Sequence, residues 1–194
     1  MAETPSAMLP LGTPLPTLRL PDTASGKLID AAALAEGKKG LLVAFICNHC
    51  PYVKHILAEL VRVSHEALDQ GFAVVAVSSN DDKAYPQDGP AAMGKLAREQ
   101  GWRFPYVFDE SQEVARAFQA ECTPDLFLFD GRRRLAYRGQ FDDSRPSLPR
   151  PVDGASLRAA LAALAAGKAP GPEQKASVGC NIKWKPGKAA GRLS

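Results

Sequence analysis

Cys47-Asn48-His49-Cys50-Pro51-Tyr52-Val53-Lys54 joins an apolar run, Gly40-Leu41-Leu42-Val43-Ala44-Phe45-Ile46, to a periodic segment from Tyr52 to Leu68. The run is short, continuous and free of charge, as in a strand buried on both faces. The following segment places Val53, Ile56, Leu57, Leu60, Val63 and Leu68 on one side, with Lys54, Glu59, Arg62 and Glu66 largely off it, and Pro51 suits the first helical position. Two thiols therefore stand where a central strand hands over to a helix N-terminus. Unpaired N–H groups and the helix dipole favour an anion there, so a cysteine at that point tends towards the nucleophilic thiolate.

Outward from the motif, the pattern predicts an α/β fold. Residues 1–16 carry four prolines and read as an extended arm. Thr17-Leu18-Arg19-Leu20 and Lys27-Leu28-Ile29 flank turn residues and predict an edge hairpin. Asp30 is placed to cap a short helix over Ala31 to Glu36, closed by Gly37. After the long helix, Phe72 to Ser78 is a second buried strand, which makes a right-handed βαβ unit with the first. Asn80 to Pro90 is a polar loop long enough for a role at a site. Helices over Ala91–Gln100 and Glu110–Ala120 enclose a short strand, Tyr106-Val107-Phe108. Leu126–Phe129 and Arg134–Tyr137 around Asp130-Gly131-Arg132 predict a hairpin, and Asp153 is placed to cap a last helix over Ala155–Ala166. The expected organisation is an arm (1–16), one domain with a mixed central sheet and helices on both faces (17–166), and a tail (167–194) whose patterned part is Val178-Gly179-Cys180-Asn181-Ile182-Lys183-Trp184.

The chain has 194 residues, net charge +3 and pI near 8.7. The basic clusters, Arg132-Arg133-Arg134 and Lys183 to Lys188, have no aromatic stripe beside them, so nucleic acid is not an expected partner. No apolar run approaches the ~18 residues of a membrane span, and the first residues lack the pattern of a signal peptide. Four cysteines, Cys47, Cys50, Cys122 and Cys180, are too few for a disulfide scaffold and read as catalytic, redox-sensing or metal-binding. A soluble, cytoplasmic protein with reduced thiols is the expectation.

Val43 to Lys54 resembles the thioredoxin superfamily, and Cys122-Thr123-Pro124-Asp125-Leu126-Phe127 looks like its second hallmark, a cis-proline loop facing the active cysteine. The whole chain, including Gly179 to Trp184, is similar to peroxiredoxin-like proteins of the AhpC/TSA-type redoxin family. The resemblance implies a thioredoxin-like fold with an N-terminal β-hairpin extension. It also implies a Thr123 backbone able to pair with an extended partner segment beside the thiol.

Two registers compete for the motif. As a thioredoxin-type C-x-x-C, Cys47 attacks and Cys50 resolves. With the helix starting at Pro51, Cys50 is the N-cap and Cys50-Pro51-Tyr52-Val53 looks like a glutaredoxin C-P-Y-C with valine in place of the second cysteine. Helix-start chemistry favours the second, which makes Cys50 the nucleophile and leaves Cys47, Cys122 or Cys180 to resolve, Cys47 being nearest in sequence. His49 is a candidate for lowering the thiol pKa or relaying protons, Lys54 for supporting a thiolate; His55 and His65 are assigned no role.

Three functions follow as expectations. The first is a thiol–disulfide oxidoreductase without a cofactor, acting on a protein or small-molecule disulfide and recharged by an external thiol reductant. The second is an antioxidant thiol peroxidase acting on a hydroperoxide. Against it, in the family's P-x-x-x-T-x-x-C pattern aligned on Cys50, Cys47 holds the threonine place and Val43 the proline place, and Pro124-Asp125 stands where an arginine is expected. The third is a zinc or copper site from Cys47, His49 and Cys50 with Cys122 or Cys180, for which no second C-x-x-C completes the set.

Overall fold

A computed structural model describes residues 3–187. Residues 1–2 of the arm and 188–194 of the tail, Lys188 among them, lie outside the described residues. In chain order the elements are β1 (Glu3–Pro5), β2 (Arg19–Pro21), β3 (Leu28–Asp30), α1 (Ala31–Leu34), β4 (Gly40–Phe45), α2 (Pro51–Asp69), β5 (Ala73–Ser78), α3 (Pro90–Glu99), β6 (Tyr106–Phe108), α4 (Glu113–Ala117), β7 (Cys122–Thr123), β8 (Asp125–Asp130), β9 (Leu135–Gly139), α5 (Ala155–Ala165) and β10 (Val178–Asn181).

The central sheet has the order β6-β5-β4-β8-β9, parallel from β6 to β4 and antiparallel from β4 to β9. Strand β4 is buried along its whole length, and its side chains alternate between two cores. Leu42 and Ala44 face Val53, Ile56 and Leu60 of α2 and Leu157 and Leu161 of α5. Leu41, Val43 and Phe45 face Val114, Phe118, Phe127 and Phe129 on the other side. Both faces must be covered because a parallel strand presents apolar residues to each. Phe45, Phe118 and Phe127 meet edge-on at 5.3–5.8 Å.

The 19-residue helix α2 starts at Pro51, with Cys50 as N-cap in extended conformation, as the proline at the first position requires. The edge hairpin β2–β3 forms, and Asp30 caps α1 through its carboxylate, which accepts from the Ala32 and Ala33 N–H groups at 2.9 and 3.3 Å. Two expectations need correcting. The helix over 110–120 is only Glu113–Ala117, because Gln112 takes a left-handed φ of 62° and the Asp109 carboxylate captures the Ala115 N–H at 2.9 Å. The cap position of α5 is Gly154, not Asp153; the buried Asp142 carboxylate accepts from both the Asp153 and Gly154 N–H groups, at 2.9 and 2.8 Å.

A second sheet joins the two ends of the described chain, with β10 between β1 and β7 in the order β1-β10-β7 and both pairings antiparallel. Part of the arm is thus a strand, and its partner is the tail. Gly40 marks where the central sheet packs most closely: a Cβ there would lie 2.3 Å from the Phe129 carbonyl oxygen and 3.2 Å from the Phe72 ring. Gly40→Ala is expected to lower stability by about 1–3 kcal/mol, read as a lower denaturant midpoint at unchanged slope.

Candidate active site

The motif loop lies between two fixed pieces of backbone. Upstream, the Ile46 N–H continues the β4 ladder to the Val77 carbonyl at 2.9 Å; downstream, the Cys50 carbonyl takes the first α2 bond from Lys54 at 2.9 Å. Between them, Asp88 from the 80–90 loop accepts the His49 backbone N–H at 3.1 Å and also pairs with His49 Nδ1. Asp88 is fully buried, and Asn80 Nδ2 donates to it at 2.8 Å. Tyr85 stacks on the His49 ring at 5.1 Å, and the Tyr106 hydroxyl donates to Asn48 Oδ1 at 3.2 Å.

Across from the motif, Thr123-Pro124 is a cis peptide, as the resemblance implies. The Cys50 thiol donates to the Thr123 carbonyl at 3.1 Å, and Cys47 Sγ lies 3.5 Å from Thr123 Oγ1. Cys47 Sγ is also 3.9 Å from His49 Nδ1. Both motif sulfurs are buried, Cys50 completely and Cys47 at 2 % exposure.

Their acidities diverge. The Cys47 thiol donates to Cys50, which pulls Cys50 well below the usual thiol range; burial opposes this, while the Thr123 side chain, the Val53 backbone and the Cys180 thiol reinforce it. The donor role pushes Cys47 well up in turn, and burial adds to it. Among these thiols, Cys50 is therefore the one held as the anion, at the helix start where a negative charge is favoured.

Cys180 is the third sulfur at this point. Its residue on β10 sits opposite Thr123, and it belongs to the same buried cluster as Cys47 and Cys50. Burial first, then its hydrogen bond to Cys50, pushes it up to about 12. Cys122, next to Thr123 on β7, turns elsewhere: its thiol donates to the Pro124 carbonyl at 3.6 Å, and burial pushes it well up. None of the four cysteines is in a disulfide.

The residues that sequence reasoning missed are Asp88 and its support. The length of the 80–90 loop was their only signal, because nothing local distinguishes Asp88 from Asp81 or Asp82. Cys47, His49 and Asp88 offer ligand atoms within 4.8 Å of one another, a different set from the expected one, with Asp88 in it and neither Cys50 nor a further cysteine. The His49 nitrogen nearest Cys47 is already engaged by the Asp88 carboxylate. Among the described residues no helix is long and apolar enough to cross a membrane.

Asp125, first residue of β8, is fully buried; burial raises its carboxyl to about 7 although Ser6 Oγ donates to it at 3.2 Å. The folded protein then holds a proton that the unfolded chain, with an ordinary pKa of ~3.9, has released, so stability falls as pH rises from about 4 to 7. Asp125→Asn is expected to raise the melting temperature above that of the wild type at pH 8, with the gain shrinking towards pH 4. The depressed pKa of Cys50 makes a second prediction: its alkylation by iodoacetamide, followed by peptide mapping, should hold its rate from about pH 9 down through about 7 and decline only in acid. A decline beginning near the ordinary thiol value of ~8.5 contradicts the thiolate assignment.

Three comparisons place these features. The profile of the AhpC/TSA family matches residues 11–138. An uncharacterized conserved protein from Geobacillus kaustophilus is 46% identical, with a TM-score of 0.93 over 96% of this chain and 98% of its own. A hypothetical protein from Sinorhizobium meliloti 1021 is also 46% identical, with a TM-score of 0.91 over 95% of this chain and 100% of its own. Peroxidoxin BcpB from Mycobacterium tuberculosis, 17% identical, shares the thioredoxin-like fold at a TM-score of 0.59 over 80% of this chain and 96% of its own. No curated protein matches the sequence.

Proposed function

Because the chain belongs to the AhpC/TSA family, and so to the thioredoxin-like redoxins, we propose that it is a thiol–disulfide oxidoreductase whose nucleophile is Cys50. The observation that carries this reading is the position of Cys50: N-cap of α2, across from Thr123 and next to a second thiol that favours its anion. The Cys50 thiolate attacks one sulfur of a substrate disulfide, a mixed disulfide forms, and the other substrate sulfur leaves as a thiolate. A second protein thiol then attacks the Cys50 sulfur and releases the first half as a thiol. Cys47 and Cys180 both adjoin Cys50. An external thiol reductant returns the protein disulfide to the dithiol.

His49 and Asp88 act as positioning residues in this scheme. The carboxylate fixes both the ring and the loop backbone, so the loop presents Cys47 to Cys50 in one geometry. A peroxidase is the second reading, on the strength of the family. The groups that act most on Cys50 are two thiols, Thr123 and the Val53 backbone, none of them an arginine aimed at an O–O bond, which favours disulfide over peroxide chemistry. The reading places the protein in a reducing cytoplasm.

Cys50→Ser is expected to abolish reduction of an insulin-type disulfide substrate, measured with a dithiol donor, while leaving the unfolding free energy within about 1–2 kcal/mol of the wild type. Full turnover by this variant would overturn the assignment. With the same donor, hydroperoxide consumption is expected to be the slower of the two activities; the reverse order makes the protein a peroxidase.

A further inference from the structure

Strand β10 lies in an exacting position. Cys180 is in register with Thr123 and Asn181 with Cys122, and the Ile182 N–H extends the pairing to the Glu121 carbonyl at 3.0 Å. The approach is so close that a Cβ on Gly179 would fall 2.0 Å from the Thr123 carbonyl oxygen, the same atom that accepts the Cys50 thiol. On its other edge β10 pairs with β1, Glu3 opposite Cys180. Beyond it, the Lys183 N–H donates to Asn80 Oδ1 at 2.8 Å, and Asn80 in turn holds Asp88. The place beside the Thr123 backbone, expected to be free for an extended substrate or partner segment, is filled instead by a strand of this chain.

The two thiols beside Cys50 differ in the backbone that carries them. A disulfide needs the sulfurs to close to ~2.05 Å with a dihedral near 90°, so one backbone has to yield. Cys47 and Cys50 sit on one short loop pinned by β4, by the first turn of α2 and by Asp88. Cys180 sits on a four-residue strand whose neighbours in its sheet are three and two residues long. Cys50 is fully buried with β10 against it, so an external disulfide reaches it only when that cover lifts. Return of the cover brings a thiol onto the mixed disulfide.

We propose, on the reading that Cys50 is the nucleophile, that β10 is the carrier of the resolving thiol: seated on β7, it delivers Cys180 to Cys50, and the disulfide that closes turnover is Cys50–Cys180. Cys47 then serves as hydrogen-bond donor to the Cys50 thiolate. In the resolving step Cys180 gives its proton to solvent, its sulfur attacks the Cys50 sulfur, and the substrate half leaves as a thiolate. Over both steps the two protein thiols lose two electrons and the substrate disulfide gains them.

The test uses 5,5′-dithiobis(2-nitrobenzoate) as the disulfide, at protein concentrations low enough to suppress intermolecular exchange. The wild type is expected to release a first equivalent of nitrothiobenzoate on attack and a second on resolution, and peptide mapping after alkylation should find Cys50 linked to Cys180, with Cys47 alkylated. Cys180→Ser should release the first equivalent and keep the second as a Cys50 adduct, its release slowed at least about tenfold because an oriented intramolecular thiol is lost. Cys47→Ser should still release both. Gly179→Ala, which retains every cysteine, should unseat β10, speeding the first release and slowing the second. A Cys47–Cys50 link in the oxidised wild type, or prompt second release from Cys180→Ser, overturns the proposal and leaves the nucleophile assignment standing. Two prompt equivalents from Cys50→Ser overturn that assignment itself.

Discussion

Thr123 is the residue on which the site depends. Its carbonyl accepts the Cys50 thiol, its hydroxyl lies against the Cys47 sulfur, and its backbone pairs with Cys180 on β10. Three sulfurs from two distant parts of the chain meet at one residue. It can hold all of them because the chain next to Pro124 runs as a two-residue strand that is not part of the central sheet, so its polar groups face the motif and the tail. Its side chain supplies one of the hydrogen bonds that lower the Cys50 thiol; the Cys47 thiol, the Val53 backbone and the Cys180 thiol supply the others.

That distinction is electrostatic and cooperative. Burying a thiolate without compensation is costly, and at Cys50 the compensation comes from donors as well as from the helix start. Each neighbouring thiol that donates to Cys50 becomes harder to ionise, so the charge stays on one sulfur. The His49–Asp88 pair works one layer further out, fixing the loop, and Asn80 links that pair to the backbone of Lys183. The motif loop and the tail are therefore fastened to each other twice, through Thr123 and through Asn80.

Much of this was legible in the residues. The uncharged run of β4, the spacing of α2 and the proline at position 51 specify the strand, the helix and the N-cap cysteine by local rules, and the hairpin around Gly131 and the Thr123-Pro124 loop have short-range signals too. What was not legible is pairing over long distances. Glu3–Pro5 has no strand pattern and acquires its conformation from β10, and β10 is too short to declare its partner. Asp88 is one of several aspartates in its loop until the fold brings it beneath His49. Gln112 shortens α4 through a left-handed backbone that helical periodicity cannot reveal.

The sheet β1-β10-β7 also bears on how the molecule assembles. It pairs the third residue with the hundred-and-eightieth, so it closes nearly the longest loop that the described chain permits. Contacts of such separation repay their closure entropy only after the intervening chain has been ordered by nearer ones. By that rule the β1-β10-β7 sheet is expected to close after the central sheet has formed. Until the C-terminal strand reaches its seat, Cys50 is without the thiol neighbour that β10 brings to it.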